Sequence, residues 1–112
     1  MKDCLFCKIA TGDVQADIVA EDERFMAFRD IVPQAPTHVL VIPRTHITSL
    51  NEVPDADLIG GMMLFARAVA RQEGLADTGY RVVLNTKADA GQTVFHIHAH
   101  VLGGRIMGWP PG

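Results

Sequence analysis

The sequence has 112 residues, of which 48% are hydrophobic and 21% charged, and its formal net charge is -3. One core typically serves about 100 to 200 residues, so we expect a single folded domain over residues 1–112 and exclude a disordered or low-complexity chain. A net negative charge also lacks the broad basic surface that binding to a nucleic-acid backbone requires, so nucleic acid is not an expected partner.

The N-terminal segment does not resemble a signal peptide, because Asp3 and Lys8 come before any apolar run can develop. The longest apolar stretch, residues 58–66, contains two glycines and is far shorter than the roughly 20 residues that span a membrane. We therefore expect a soluble, cytoplasmic protein with no membrane partner, in a compartment that keeps thiols reduced.

Three short strands are predicted in the first half of the chain. Residues 17–22 and 24–30 flank a tight polar turn. Two prolines then interrupt regular structure, after which the β-branched, apolar segment 37–43 is typical of an interior strand. A short helical turn is expected around the two N-terminal cysteines.

One long helix is predicted over residues 55–73, where apolar residues recur at spacings of three and four. Asp55 is a candidate N-cap and Gly74 a candidate stop. Gly60 and Gly61 each lower the helix propensity by about 1 kcal/mol relative to alanine, so we expect this helix to approach a sheet closely there.

Two further strands are predicted at residues 80–85 and 93–102, joined by the loop 86–92. Five strands in mostly hairpin-like order with one long helix favour an α+β fold with an antiparallel sheet. The last strand contains three of the 5 histidines in the chain.

These three histidines alternate with apolar residues. In a strand, His96, His98 and His100 would share one face. The opposite face would carry apolar residues that we expect to meet the helix: Phe95, Ile97, Ala99 and Val101. Such a row is compatible with a half-exposed strand, with a three-histidine metal site or with an anion site.

The loop before the histidines favours the anion site. Gly91 lets the backbone approach a ligand closely, and successive amides around it would form an anion-binding nest. Asn85, Gln92 and Thr93 supply neutral donors. A neutral imidazole is a competent nucleophile toward phosphorus, so the middle histidine, His98, is the candidate for a covalent phosphohistidine.

The segment 96–102, His-Ile-His-Ala-His-Val-Leu, resembles the His-x-His-x-His-x-x signature of the histidine triad proteins, in which x is mostly apolar. Further matches, in order along the chain, are residues 6–9, 27–31, 33–38, 41–43 and 91–93. The C-terminal segments 101–105 and 109–112 resemble the Hint branch, the purine-nucleoside phosphoramidases. The chain departs from that branch at Gly108, where many members have a histidine.

This resemblance implies a five-stranded antiparallel sheet with one long helix and a short N-terminal helix, in a homodimer. It also implies a hydrolase that cleaves the P–N bond of nucleoside 5′-phosphoramidates, typically of a purine nucleotide of the AMP or GMP type. His98 would attack the phosphorus and form a nucleotidyl-histidine, assisted by His100 and His38. The alternatives are a dinucleoside polyphosphate hydrolase and a nucleotide-binding regulatory module with little turnover.

The same resemblance assigns nucleotide-binding residues. Those that would hold phosphate oxygens, besides His98 and His100, are Asn85, Gly91, Gln92 and Thr93, the last of them near the leaving group. Asp30 would accept hydrogen bonds from the ribose hydroxyls. The residues that would line the base and sugar pocket are Phe6, Phe28 and Ile31, and Trp109 would act across the dimer.

The cysteines form a Cys-x-x-Cys pair, Cys4 and Cys7, whose spacing suits zinc. A thioredoxin-like site would need a strand before the motif, for which residue 4 leaves no room, and two small buried thiols are the remaining alternative. The resemblance to bacterial histidine triad proteins that carry such a pair implies a closed structural zinc site completed by His46 and His96. Zinc would then stabilise the fold and take no part in the chemistry.

Overall fold

The computed structural model describes residues 3–112. Its helices are α1 (Leu5–Thr11) and α2 (Ala56–Gln72), and its strands are β1 (Ile18–Glu21), β2 (Phe25–Arg29), β3 (Thr37–Pro43), β4 (Tyr80–Val83) and β5 (Ala99–Gly103). The strands form one antiparallel sheet in the order β1-β2-β3-β5-β4. The predicted α+β fold is therefore confirmed, although β1, β2 and β4 are slightly shorter than predicted.

Helix α1 begins at the cysteine pair. Cys4 caps the helix, since its sulfur accepts a hydrogen bond from the backbone N–H of Cys7 at 3.3 Å. Gly12, at φ +85°, ends the helix and donates its N–H to the carbonyl of Ile9. The short N-terminal helix that the family resemblance implied is thus present, and the cap brings both sulfurs to one end of it.

Helix α2 has the predicted boundaries to within one residue. Asp55 caps its start by accepting from the backbone N–H of Leu58 at 3.0 Å. At its end, Gly74 adopts φ +78°, and the N–H of Leu75 donates to the carbonyl of Ala70 at 2.9 Å, a Schellman arrangement. Among the described residues, no helix is long and apolar enough to cross a membrane.

The two glycines of α2 have different surroundings. A Cβ at Gly61 would lie 3.1 Å from a guanidinium nitrogen of Arg24 and 3.2 Å from the ring of Phe25, so the helix does approach β2 closely there. A Cβ at Gly60 would meet no atom within 4 Å. Nothing in the structure explains Gly60.

The two helices cover opposite faces of the sheet. In β3, Val39 and Val41 belong to the core under α2, whereas Leu40 and Ile42 pack with α1. Leu40 lies opposite His100 in the β3–β5 pairing, which places that histidine on the α1 face. His100 and the cysteine pair at the start of α1 therefore lie on the same side of the sheet.

The predicted strand 93–102 is wrong at its start, because β5 begins only at Ala99. The β3–β5 register would set Pro43 opposite Ile97, but Pro43 has no N–H to donate and its carbonyl accepts from Nε2 of His96. The N–H of Ile97 donates instead to the carbonyl of Ile47 at 2.6 Å. Phe95 is consequently 60% exposed and does not join the apolar face.

Candidate active site and metal centre

Three histidines come together on the α1 face of the sheet. His38 on β3 and His100 on β5 lie on neighbouring strands, with Nε2 of His38 2.9 Å from Nδ1 of His100. His98 lies just before β5, and its ring centroid is 5.1 Å from that of His100. His38 and His98 are buried, so water has little access to their rings.

The hydrogen bonds of His38 fix the tautomers of two of these rings. The backbone N–H of Gln34 donates to Nδ1 of His38 at 3.0 Å, so neutral His38 carries its hydrogen on Nε2. That Nε2–H donates to Nδ1 of His100. Neutral His100 therefore carries its own hydrogen on Nε2. This N–H takes no part in the His38–His100 hydrogen bond and can donate to a ligand.

The orientation of His98 leaves one ring nitrogen unprotonated. Its Nδ1 lies 2.8 Å from the carbonyl oxygen of His96. A carbonyl can only accept, so Nδ1 must carry the hydrogen and Nε2 of the neutral ring keeps its lone pair. This is the arrangement that a nucleophilic imidazole requires.

All three rings are neutral near pH 7. Burial lowers the pKa of His38 and of His98 below the ordinary value. Burial, together with the neighbouring His98 and His38, lowers the pKa of His100 to about 4. The carboxylate of Asp30 opposes each of these shifts but does not overcome them.

The pKa of His100 predicts how stability depends on pH. Because that pKa is about 4 in the folded chain and about 6.5 in the unfolded chain, the unfolded chain binds more protons between these values. The stability that depends on the neutral ring is thus complete above pH ~6.5 and is lost as the pH falls toward ~4. Thermal unfolding between about pH 7 and pH 4.5 should show a falling Tm, with a smaller fall in His100→Asn. An equal fall in both proteins would contradict this assignment.

Asp30, directly after β2, makes two contacts. Its Oδ1 accepts from the backbone N–H of Val32 at 2.9 Å and so fixes the start of the turn before Pro33. Its Oδ2 lies 3.5 Å from Nε2 of His38, a contact that the sequence did not predict. The carboxylate is partly exposed and therefore accessible to a ligand.

The loop before the histidines is closed by its own hydrogen bonds. Gly91 has φ +84°, and its N–H donates to the carbonyl of Ala88 at 3.0 Å. The N–H of Gln92 donates to the carbonyl of Lys87 at 3.1 Å. Both amides are engaged within the loop, so the expected anion-binding nest around Gly91 is not formed by these two groups.

Gln92 is buried and braces the loop. Its Nε2 donates to the carbonyls of Thr48 at 2.7 Å and Val94 at 3.1 Å, and its Oε1 accepts from the N–H of Lys87 at 2.8 Å. No amide hydrogen of the side chain remains for a phosphate oxygen. Thr93, which follows, is exposed, and Asn85 is half-buried.

Of the residues expected around the base and sugar, two aromatic side chains pack together and the others are exposed. Phe6 and Phe28 are buried and meet edge to face with ring centroids 5.4 Å apart. Phe6 also lies 5.1 Å from the ring of His98. Ile31 is 95% exposed and Trp109 81% exposed, so neither packs into this group.

The four predicted zinc ligands converge. Sγ of Cys4 is 3.3 Å from Nδ1 of His96, and Sγ of Cys7 is 3.3 Å from Nδ1 of His46 and 3.5 Å from Nδ1 of His96. Tetrahedral zinc places sulfur and nitrogen ligands about 3.5 Å apart, and these distances agree. Nε2–H of His96 donates to the carbonyl of Pro43 at 2.7 Å, so its Nδ1 turns a lone pair to the sulfurs. The donor set could hold a metal ion.

The thiol of Cys7 keeps its proton until a cation binds. Burial raises the pKa of Cys7, and the hydrogen bond and charge of Cys4 raise it further. A bound divalent cation deprotonates the thiols that ligate it. A cavity of about 450 Å³, lined in part by Cys4 and His46, gives such an ion a path from the surface.

A second group, Asp30, His38 and His100, also has its ligand atoms within 4.8 Å of one another. Here the chemistry is against a metal. The N–H of Gln34 occupies Nδ1 of His38, so Nε2 carries a hydrogen and has no lone pair to offer. We therefore interpret this group as a hydrogen-bond relay.

The comparisons with known proteins decide the family. A HIT domain model matches residues 11–107. The purine nucleoside phosphoramidase of Escherichia coli is 45% identical over 109 residues, which cover 96% of this chain and 92% of that protein. The chain belongs to the histidine triad family. This histidine triad protein is a hydrolase of the family type, as its sequence predicted.

Two further relatives extend the comparison of this histidine triad protein. The 14 kDa zinc-binding protein of Zea mays is 47% identical over 112 residues, covering 96% of this chain and 87% of that protein. The crystal structure of a HIT family hydrolase from Legionella pneumophila superposes with a TM-score of 0.95 at 52% identity, covering 98% of this chain and all of that one.

Three residues that orient the site were not predicted from the sequence. They act through the backbone: the N–H of Gln34 and the carbonyls of Pro43 and Thr48. Backbone groups leave no residue-type pattern. The prolines on either side of the segment 34–35 were the one available signal that a loop is fixed beside His38.

Proposed function

We propose that this histidine triad protein cleaves the P–N bond of nucleoside 5′-phosphoramidates of the purine type, through a nucleotidyl-histidine intermediate. The observation that carries the proposal is the lone pair on Nε2 of His98, fixed by the hydrogen bond from Nδ1 to the carbonyl of His96. The E. coli relative, a purine nucleoside phosphoramidase, supports the choice of substrate.

In the first step, Nε2 of His98 bonds to the α-phosphorus as the bond from phosphorus to the amine nitrogen breaks. The phosphorylated ring carries a positive charge, which the carbonyl of His96 stabilises through Nδ1–H. The leaving nitrogen takes its proton from solvent, because neutral His38 has one N–H and uses it in the hydrogen bond to His100. The free N–H of His100 donates to a phosphate oxygen.

In the second step, water attacks the phosphorus and the bond to Nε2 of His98 breaks. The nucleotide leaves, the ring returns to its neutral state, and one proton returns to solvent. Splitting the transfer in two lets one pocket lower both barriers. Neutral His38 and His100 orient the phosphate by hydrogen bonds, and water supplies the oxygen that is added to the phosphorus.

The nucleotide contacts follow from the exposed and partly exposed polar groups. We propose that Asp30 accepts from the ribose and that Asn85 and Thr93 donate to the phosphate. The side-chain donors of Gln92 are already engaged by the carbonyls of Thr48 and Val94, so we assign this residue to holding the loop at Thr93 in place. Gly91 serves by its positive φ, which shapes the loop.

The contact predicted for Trp109 would involve a second copy of the chain. Strand β4 is an edge of the sheet, with Tyr80 and Val82 partly exposed on it. We propose that this edge forms a homodimer and that Trp109, exposed in one chain, acts at the partner's site. Sedimentation at micromolar concentration tests this proposal, and a monomer would contradict it.

We further propose that Cys4, Cys7, His46 and His96 hold a structural zinc ion. Their spacing and the lone pair of His96 support it, and so does the zinc-binding relative from Zea mays. Zinc would cross-link the start of α1 to the segment before β5. No zinc chemistry is required by the reaction.

Steady-state hydrolysis of adenosine 5′-phosphoramidate, beside diadenosine polyphosphates, tests the proposed function. We expect the phosphoramidate to have the higher kcat/KM. Preference for a diadenosine polyphosphate would favour the polyphosphate hydrolases. Tight AMP binding without turnover of either compound would favour a regulatory module.

A further inference from the structure

Asp30 is a carboxylate without a cationic partner. Its side chain is only 21% exposed, so most of it is removed from water. Within residues 3–112, no lysine or arginine lies within ion-pair distance of it, and its one side-chain partner is the neutral ring of His38. Burial of a charge that no cation balances costs free energy, so such a group is a candidate for a role in function.

The carboxylate of Asp30 faces the hydrogen that links two histidines. Nε2–H of His38 donates to Nδ1 of His100 at 2.9 Å, and Oδ2 of Asp30 lies 3.5 Å from the same Nε2. A carboxylate beside Nε2 attracts a hydrogen there and repels a lone pair. It therefore favours the tautomer that the N–H of Gln34 imposes from the other side of the ring. In this tautomer, His100 offers its own Nε2–H to a ligand.

The charge of Asp30 acts on all three rings. It raises the pKa of His38, of His98 and of His100, against the larger lowering by burial. The ring centroid of His100 is 5.1 Å from that of His98 and 5.1 Å from that of His38. His98 is thus linked through His100 to the ring that contacts the carboxylate. A positive charge on any of these rings is stabilised by Asp30, whereas a neutral ring gains little from it.

The proposed reaction places a positive charge on one of these rings. When Nε2 of His98 bonds to the phosphorus, the ring becomes positively charged, and the carbonyl of His96 faces that charge at Nδ1. Among the charged side chains of residues 3–112, Asp30 is the one whose field shifts His98. An interaction that strengthens as the charge develops lowers the barrier and leaves substrate binding nearly unchanged.

We propose that Asp30 is a positioning residue for the chemical step: its carboxylate holds the His38–His100 pair and balances the positive charge that His98 gains. This role is separate from the proposed contact of Asp30 with the ribose. The inference rests on the proposed function, because the charge that it concerns arises as the nucleotidyl-histidine forms.

A variant and a change of substrate, used together, separate the two roles. Asp30→Asn removes the charge and keeps an oxygen for the N–H of Val32. Single-turnover rapid quenching measures the rate constant of P–N cleavage at saturation, with adenosine 5′-phosphoramidate and with its 2′,3′-dideoxy analogue, which has no ribose hydroxyls. We expect Asp30→Asn to cleave both substrates about tenfold more slowly than the parent. The half-saturating concentration of each substrate should change by less than about threefold.

Asp57→Asn is the matched control for the loss of a carboxylate. Asp57 is exposed and lies on α2, the helix that covers the opposite face of the sheet. This variant should cleave both substrates at the parent rate.

The pKa of His38 is a second readout, followed by the pH dependence of its ring proton shifts. The titratable groups that contact His38 within residues 3–112 are Asp30 and His100. Because the carboxylate raises this pKa, Asp30→Asn should lower it below the parent value. Asp57→Asn should leave it unchanged.

Three results would overturn this inference alone. The first is Asp30→Asn cleaving both substrates at the parent rate. The second is a defect that vanishes with the dideoxy substrate, or a parent that cleaves only the substrate with hydroxyls, since either would assign Asp30 to the ribose. The third is a pKa of His38 that does not fall in Asp30→Asn. If the parent cleaved neither substrate, the proposed function and this inference would fall together.

Discussion

Replacement of His98 by alanine should lower kcat/KM for adenosine 5′-phosphoramidate by about four orders of magnitude or more. The substitution removes the Nε2 lone pair that the carbonyl of His96 holds in place. No other ring nitrogen of the triad can replace it: Nδ1 of His38 and of His100 both accept hydrogen bonds, and Nε2 of each carries a hydrogen. Steady-state assay of released AMP measures the effect.

The control for this substitution is AMP binding. Asp30, Asn85 and Thr93 remain in place, so His98→Ala should bind AMP within about tenfold of the parent affinity. Loss of turnover with retained binding assigns the defect to the chemical step. Turnover within tenfold of the parent would exclude His98 as the nucleophile.

Removal of zinc should lower the stability of this histidine triad protein by at least about 3 kcal/mol, seen as a fall in Tm of more than about 10 °C. The ion would tie Cys4 and Cys7 of α1 to His46 and His96, and without it two buried thiols and two imidazoles lose their common partner. His96 also positions His98, so turnover should fall with the metal. Metal analysis and thermal unfolding, before and after chelation, measure both.

Cys4→Ser is the matched variant for this experiment. Serine keeps an oxygen that can cap α1, where the sulfur of Cys4 now accepts from Cys7. The variant should have the low Tm of the chelated parent, and chelation should lower it no further. A parent that contains no metal and unfolds at the same temperature after chelation would contradict the zinc proposal.

Strand β3 and helix α2 could be predicted because local signals agree with the tertiary packing. The helix has apolar residues at spacings of three and four, a capping Asp55 and a glycine stop. The start of β5 could not be predicted, because alternation reports which side chains are buried and says nothing about which backbone is paired. His96, Ile97 and His98 are all buried, yet they precede the strand.

In the candidate site, too, some features could be predicted from the sequence and others could not. The histidine and cysteine spacings indicated which side chains converge. The tautomers depend on backbone groups far away in sequence, such as Pro43 for His96 and Gln34 for the relay to His100. The sequence predicts Gln92 to be a phosphate ligand, but its side chain makes three hydrogen bonds within the fold.

The most direct test of the central claim is mass spectrometry of the protein quenched in alkaline denaturant during turnover of adenosine 5′-phosphoramidate. The mechanism predicts a nucleotidyl adduct on the peptide that contains residues 96–100, assigned by fragmentation to His98 and absent from His98→Ala. An adduct on another residue, or rapid turnover in which no adduct forms at any time, would contradict it.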